Sequence, residues 1–386
     1  MSSLTKHSKP SSVSQLWTQR NIHRTSPFPR QDYSVCEFQD DIYIFAGSIE
    51  SVPQNDVHII HSQSFSSEVV VTSGEVPCPR SGHTALSVGK HLLIFGGETL
   101  SSRWDDSLYS LNIESKIWTR LPMQSNSLVG RIDHSAVAVG STMYLFGGQV
   151  DGYYLNDLVA FDTKTLSTQC PHWDYIASGY ESPPERACHS TAVYKNRIYV
   201  FGGRDTDRYF NDLWCYDPES NCWSQIVTGN GPGKRIGHTA CTRDDLMYIF
   251  GGQDESGTFL NEVHVFSFLK EAWLDLPSFH LGDTLPNKVK ACLIHEKIHV
   301  LVGECNSVHI LDKVKGKNYV NVHLGEDYFS NTQDHPTPTE ANNEQYPRNH
   351  PSQLEISRRG STINLEISRL LTPSPVLSEP NPIKGS

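Results

Sequence analysis

The residues of this chain that most directly suggest chemistry lie in the segment IHEKIHV, residues 294–300. His295, Glu296 and His299 fit the pattern His-Glu-x-x-His. On a helix, two histidines at this spacing point the same way, so both imidazoles reach one Zn²⁺ while the glutamate acts as general base. The pattern therefore predicts a zinc peptidase site only if the segment is helical.

Composition limits the classes of function. The chain has 386 residues, 37% of them hydrophobic, and a formal net charge of −11, which argues against binding to nucleic-acid phosphates. The Ser-rich N-terminus has no apolar signal region, and no run of 18 apolar residues could span a membrane. The nine cysteines form no Cys-x-x-Cys pair. We therefore expect reduced thiols in a cytoplasmic protein without a metal or other cofactor.

An internal repeat dominates the sequence. Six apolar runs each end in Gly-Gly or a degenerate version of it, at residues 42–47, 92–97, 143–148, 198–203, 247–252 and 298–303. Successive runs start 50, 51, 55, 49 and 51 residues apart. A period near 50 with this doublet is typical of propellers with one four-stranded blade per repeat.

Other residue types recur in step with the doublet. An arginine lies 16 residues before its first position in five repeats, at Arg30, Arg80, Arg131, Arg186 and Arg235. Three residues after four of these come His83, His134, His189 and His238, with Tyr33 in the first repeat and, if one residue is deleted, Lys290 in the last. An Asn or Asp follows the doublet, and a tryptophan opens a fourth strand at Trp118, Trp173, Trp223 and Trp273.

These motifs resemble the kelch family over roughly residues 15–324. PRSGHTA, GRIDHSA and KRIGHTA, beside FGG and NDL, are similar to the arginine and histidine variant of the repeat found in fungal and other intracellular kelch proteins. The resemblance implies an all-β fold, a six-bladed β-propeller. Repeats 1 and 6 depart from the pattern, with Ala-Gly and Val-Gly in place of Gly-Gly.

The register of the repeat shows whether the histidine motif can form a zinc site. IHEKIHVLVG aligns with TRDDLMYIFGG and YKNRIYVFGG, which places Glu296 and Lys297 at a β-hairpin turn. His295 and His299 then lie on two sides of a turn and lack the shared helical face that zinc binding requires. We therefore expect no zinc site here.

Two segments could close the ring. Trp17 lies 13 residues before Arg30, the same spacing as Trp118 to Arg131, so residues 16–20 are favoured as the strand that completes the last blade. Residues 318–324 could fill the same outer position. The predicted organisation is a disordered N-terminus over 1–14, a propeller over 15–324 and a disordered tail over 325–386.

The third repeat and the tail differ from the rest of the chain. About five extra residues near LSTQCP lengthen the loop between the third and fourth strands of blade 3, either as a binding feature or as a surface bulge. The tail contains candidate phosphorylation sites at Ser361, Thr372 and Ser374. Its apolar residues between Leu354 and Leu371 could instead form a segment that orders on binding, or the tail could be passive.

The predicted binding surface is the face carrying the arginines. In a propeller of the resembled type, the loop before the first strand and the loop between the second and third strands open on the same face. That face would combine the five arginines with aromatic residues from the second loop: Trp104, Tyr153, Tyr209 and Phe259. Arginine and aromatic residues are preferred anchors at interfaces, and a basic rim favours an acidic or phosphorylated peptide. For each arginine, the favoured alternative is a structural role. In that role the guanidinium bonds carbonyls or an acid of a neighbouring blade.

Two classes of function follow from the resemblance. The first is a non-enzymatic interaction module or scaffold, similar to kelch proteins of cell polarity or to kelch partners of small GTPases and their regulators. The alternative is a metal-dependent kelch-type enzyme, either galactose-oxidase-like or thiocyanate-forming. We predict the first, with no catalytic residues.

Overall fold

The repeat folds into a ring of six antiparallel blades. The computed structural model describes residues 17–101, 104–123, 128–168, 171–177, 181–276 and 288–312. Each blade has four main strands, the first innermost and the fourth towards the rim, and in blades 1 and 2 a two-residue strand, His23–Arg24 and Ser73–Gly74, pairs with the fourth. The strands are short and rich in β-branched and aromatic residues, which suit a pleated surface that is covered by neighbouring blades.

The strand bounds follow the repeat. Blade 1 contains β2 (Ser34–Phe38), β3 (Asp41–Phe45), β4 (Val57–His61) and β5 (Ser66–Val69). Blade 2 contains β6 (Thr84–Val88), β7 (His91–Phe95), β8 (Leu108–Asn112) and β9 (Ile117–Arg120). Blade 3 contains β10 (Ser135–Val139), β11 (Thr142–Phe146), β12 (Leu158–Asp162) and β13 (Asp174–Tyr175). Blade 4 contains β14 (Ser190–Tyr194), β15 (Arg197–Phe201), β16 (Leu213–Asp217) and β17 (Cys222–Ile226). Blade 5 contains β18 (Thr239–Arg243), β19 (Leu246–Phe250), β20 (Val263–Ser267) and β21 (Ala272–Trp273). Blade 6 contains β22 (Val289–Ile294), β23 (Lys297–Val302) and β24 (Ser307–Leu311).

The outer strand of blade 6 comes from the start of the chain. β1 (Trp17–Asn21) pairs antiparallel with β24, from Trp17 opposite Leu311 to Asn21 opposite Ser307. The ends of the described chain therefore meet in one sheet, so hydrogen bonds between the first and last strands close the ring. The competing segment, residues 318–324, lies outside the described residues, as do the predicted terminal segments 1–14 and 325–386.

The core lies between blades. Six apolar clusters each combine residues of two neighbouring blades, including the pair formed by blades 6 and 1. The phenylalanine that precedes the glycine doublet contacts the rim tryptophan of the next blade, with ring centroids 5.2–5.3 Å apart: Phe45–Trp118, Phe95–Trp173, Phe146–Trp223 and Phe201–Trp273. Trp17 makes the equivalent contact with Phe250 at 6.3 Å. The tryptophans thus wedge adjacent blades together.

The glycine doublet connects neighbouring blades. Gly97 has φ +94°, and a Cβ there would meet the Cβ of His83 at 2.9 Å. Its backbone N–H donates to the carbonyl of Arg131 in the next blade at 2.9 Å. A residue with a side chain would clash or be strained here, which accounts for the recurrence of glycine.

The histidine motif lies on a β-hairpin, as the register predicted. β22 ends at Ile294, His295 and Glu296 form the turn, and β23 begins at Lys297. The turn residues have positive φ angles of 46° and 60°. His299 lies buried on β23, and His295 is exposed beside Asp40 at 3.3 Å. The helical face needed to hold zinc does not form.

The lengthened loop of blade 3 begins with a short 3₁₀ helix, Thr163–Ser167. Asp162 caps it by accepting a hydrogen bond from the backbone N–H of Lys164 at 3.0 Å.

Eight cysteines are free thiols in the described ranges, and Cys170 lies outside them. No helix among the described residues is long and apolar enough to cross a membrane.

Candidate functional site

The recurring arginines brace the loops of one face. Arg131 donates from Nη1 and Nη2 to both oxygens of Asp157, at 2.5 and 3.0 Å, and from Nη1 to the carbonyl of Gly147 at 3.0 Å. Its Nε donates to the carbonyl of Val129 at 3.2 Å. One guanidinium therefore ties the loop before the inner strand to the loop between the second and third strands of the same blade. The other four pairs are Arg30–Asp56, Arg80–Asp105, Arg186–Asp212 and Arg235–Glu262.

Two of these acids are held ionised. Burial alone would raise the pKa of Asp56, but hydrogen bonds from Arg30 and His58 outweigh it and place the pKa well below its usual range. Hydrogen bonds, chiefly from His264 and also from Arg235, lower the pKa of Glu262 to about 2. Arg30 and Arg235 therefore each face a full negative charge at neutral pH.

The expected exposed ring of arginines does not form. Arg30, Arg80, Arg131, Arg186 and Arg235 are 0–2% exposed. Their donors are used within the blade, and the neutralising acid belongs to the same blade rather than to a neighbour. The prediction of a basic rim is therefore corrected: the arginines shape this face from inside, and the charge that they carry is already paired.

The four histidines join successive blades. Nε2 of His83, His134 and His189 shares a 2.8 Å hydrogen bond with a hydroxyl of the preceding blade, from Ser34, Thr84 and Ser135. Nε2 of His238 donates to the carbonyl of Phe201 at 3.1 Å. Burial lowers the pKa of all four, that of His238 to about 3. The imidazoles are neutral and structural.

The last repeat has a different register from the one predicted. Lys290 pairs with Leu301, as Thr239 pairs with Phe250 in blade 5. Val289 therefore occupies the histidine position, and its Cγ2 lies 3.3 Å from a Cβ placed on Gly251. No deletion is needed, and Lys290 takes the place held by a Ser or Thr in the other blades.

A cavity of about 370 Å³ opens at the centre of the arginine-bearing face. Its mouth is formed by the residue before each histidine position, and all six of these residues have positive φ: Asp32, Gly82, Asp133, Cys188, Gly237 and Lys288. Backbone hydrogen bonds of 2.9–3.1 Å connect the first five in turn around the ring. This continuous set of bonds holds the mouth in one shape.

The charges inside the cavity are mixed. Lys288 donates to Asp32 at 2.5 Å. Burial raises the pKa of Asp133, with a further contribution from the charge of Asp32, and burial lowers the pKa of Lys290. Three acids, Asp32, Glu98 and Asp133, and two amines therefore share the space, and the cavity presents no surplus of positive charge.

The four predicted aromatic residues lie on the loops between the second and third strands of blades 2–5. Trp104, Tyr153, Tyr209 and Phe259 each pair across their own loop, opposite Glu98, Val150, Arg204 and Gln253. Phe259 lines the cavity, and Tyr153 is 60% exposed. The four residues therefore occupy equivalent loops of blades 2–5, and Trp104, Tyr153 and Tyr209 are not among the residues that line the cavity.

No cluster of three or more His, Cys, Asp or Glu side chains suited to a metal ion occurs among the residues that the structure describes. The predicted phosphorylation sites Ser361, Thr372 and Ser374 lie outside the described residues.

The comparisons with known proteins agree with the repeat and the blade geometry. A family model described as the KLHDC2/KLHL20/DRC7 kelch-repeats domain matches residues 10–126 and 82–303. The chain belongs to the kelch-repeat family. This kelch propeller is 34% identical over 269 residues to tip elongation aberrant protein 1 of Schizosaccharomyces pombe, covering 67% of the chain and 24% of that protein.

Two further relatives show the same pattern. Identity to kelch domain-containing protein 3 of Rattus norvegicus is 31% over 247 residues, covering 60% of this chain and 63% of that protein. Identity to kelch repeat-containing protein 2 of Saccharomyces cerevisiae is 31% over 284 residues, covering 69% of this chain and 32% of that protein. The kelch propeller thus spans less than two thirds of each of these relatives.

Sequence reasoning missed two features of the site. The first is the acid that pairs with each arginine, although the offset of 26 residues in Arg30–Asp56, Arg131–Asp157 and Arg186–Asp212 was available as a signal. The second is the pair of exposed aliphatic side chains Val52 and Leu100, on the loops of blades 1 and 2. Single aliphatic residues in loops carry no pattern that identifies them before the loops are placed side by side.

Proposed function

We propose that this kelch propeller is a non-enzymatic protein-interaction module that binds another protein through the arginine-bearing face. The observation that carries the proposal is the open cavity, which Phe259 lines, on a face whose loops also carry Trp104, Tyr153 and Tyr209. The arginines and histidines of the repeat have internal partners, so the loops are held firmly enough to present these side chains without a large ordering cost.

We further propose a scaffold role in cell polarity within the cytoplasm. Support for it comes from the relative whose name refers to aberrant tip elongation and from the resemblance of the repeats to those of polarity markers. A small GTPase or its regulator is one class of partner consistent with this role. The acidic or phosphorylated partner expected from the sequence depended on exposed arginines, and their burial removes its support.

Affinity capture with matched variants tests the binding face. Tyr153→Ser combined with Tyr209→Ser removes two aromatic side chains from the face, and Leu269→Ser removes a side chain that is 48% exposed on the opposite face. Proteins captured by the intact chain and identified by mass should be lost with the double variant and retained with Leu269→Ser. Equal melting temperatures would show that both variants are folded. Capture of every partner by the folded double variant would refute the binding face, and a tagged chain spread evenly through its cells would contradict the polarity role.

A further inference from the structure

The central cavity contains an amine that has no bonded partner. Lys290 lines the cavity of about 370 Å³ at the centre of the arginine-bearing face. In blades 1–3, the residue at this register is a Ser or Thr whose hydroxyl shares a hydrogen bond with a histidine of the next blade. Blade 1 carries Tyr33 at the histidine position, and its hydroxyl donates to the carbonyl of Leu301 at 3.5 Å. Within the described part of the chain, the Lys290 amine makes no hydrogen bond or ion pair.

The other amine of the cavity is already paired. Lys288 donates to Asp32 at 2.5 Å. Lys290 follows two residues later, on the inner strand β22. Burial lowers the pKa of Lys290 and the charge of Lys288 adds to this, against the opposing charges of Asp32 and Asp133. A larger share of the Lys290 amine is therefore neutral than for a lysine in water.

A neutral amine that opens on a cavity is a nucleophile. Lysines that are desolvated, or that lie beside a second cation, form Schiff bases with carbonyl compounds. The cavity volume falls within the range of about 300–1,000 Å³ that is typical of small-molecule sites. Ile132, Ile236 and Phe259 supply apolar wall, and the cavity has no surplus of positive charge to attract an anion. The lining therefore suits a small uncharged molecule with an apolar part.

From this geometry we infer that Lys290 reversibly binds a small uncharged aldehyde in the central cavity, as an imine. The site goes beyond the proposed protein-binding function and does not depend on it. The nitrogen lone pair forms a bond to the carbonyl carbon, the carbonyl oxygen takes up the two protons that the amine loses and leaves as water, and a C=N bond remains. No oxidant or reductant is consumed, and water reverses the reaction. Asp133, whose pKa burial raises, can pass a proton to the departing oxygen.

Reductive trapping tests the inference. The full chain is mixed at neutral pH with benzaldehyde and cyanoborohydride, which fixes each imine as a benzylamine, and labelled lysines are located by peptide mass. The Lys290 peptide should be labelled before those of Lys90 and Lys234, whose side chains are 54 and 48% exposed, because the neutral amine is the form that attacks. A dextran bearing aldehyde groups is too large for the cavity and should label the two surface lysines but not Lys290. Labelling of Lys290 no faster than the surface lysines, or equally by the dextran, would overturn the inference.

Matched variants assign the early label to one residue. Lys290→Thr introduces a residue type that other blades carry at this register and should remove the early phase of labelling. Lys288→Arg keeps a charge beside Asp32 and should retain that phase. Asp133→Asn should slow labelling of Lys290 and leave the two surface lysines unchanged. Persistence of the early phase in folded Lys290→Thr, judged by an equal melting temperature, would refute the site. If that variant does not fold, the order of labelling in the unaltered chain still decides.

Discussion

Replacing Arg131 by Met tests whether the recurring arginine is a buried brace. The substitution keeps much of the aliphatic volume but removes the guanidinium, which is 2% exposed. Asp157 then loses both of its bonds to Arg131, and the carbonyls of Gly147 and Val129 lose a donor. The loops that form the candidate binding face lose their common anchor in blade 3.

The expected cost follows from these contacts. Removing one partner of a buried ion pair costs about 3–5 kcal/mol. The side chain of Asp157 is 27% exposed, so water partly solvates the orphaned charge and the lower end, about 3 kcal/mol, applies. Each of the two carbonyls that loses its donor adds about 1 kcal/mol. The total of about 5 kcal/mol is a large part of a typical stability of about 5–15 kcal/mol.

Urea unfolding measured by tryptophan fluorescence provides the assay. Arg208→Met is the matched control, because Arg208 also pairs with an aspartate, Asp205 at 2.8 Å, but its side chain is 60% exposed and the pair is worth about 0–1 kcal/mol. The midpoint should fall sharply for Arg131→Met and little for the control, and adding Asp157→Asn to Arg131→Met should recover part of the loss. Equal midpoints for the two single variants would refute the buried brace.

Four further predictions follow from the same contacts. Deleting residues 1–22 removes β1 and should lower the melting temperature of the whole ring. If this deletion left the melting temperature unchanged while removal of residues 317–324 unfolded the ring, residues 318–324 would be the closing segment. Trp118→Ala removes the wedge between blades 1 and 2 and should cost about 3–5 kcal/mol in urea unfolding; a cost under about 1 kcal/mol would contradict the wedge. The pKa of His238 falls from 6.5 to about 3 on folding, so the unfolded chain binds a proton more readily than the folded chain. The free energy of unfolding should therefore decline as the pH falls below about 6.5, and it should decline less steeply in His238→Gln. A flat profile down to about pH 5 would contradict this burial. Elemental analysis of the purified chain should find no stoichiometric copper, iron or zinc, and one equivalent of any of them would favour the alternative metal-dependent enzyme.

The repeat in the sequence was sufficient to predict the fold. A doublet at a period near 50, with tryptophan and arginine in register, predicted six blades, and the family match and the blades confirm it. The same register placed His295 and His299 on a hairpin, which the pairing of β22 with β23 confirms. The repeats can be recognised in the sequence because each blade must satisfy the same backbone geometry. The same residue types therefore recur at the same positions.

Only part of the candidate site could be predicted from the sequence, for a physical reason. A recurring arginine has the same appearance in the sequence whether it faces a partner or an internal acid, and only the fold showed that Arg131 meets Asp157 in its own blade. The register of Val289 and Lys290 likewise needed the observed pairing with Leu301.

The sequence by itself determined the number of blades and the residues that hold them together, because those residues repeat. The tertiary structure alone decided which surface is available to a partner. It buries the arginines, joins Trp104 to Asp151 across two blades, and brings Val52, Leu100 and Tyr153 onto neighbouring loop tips. These residues lie about one repeat apart in the chain, and the packing of consecutive blades against one another places their loops side by side.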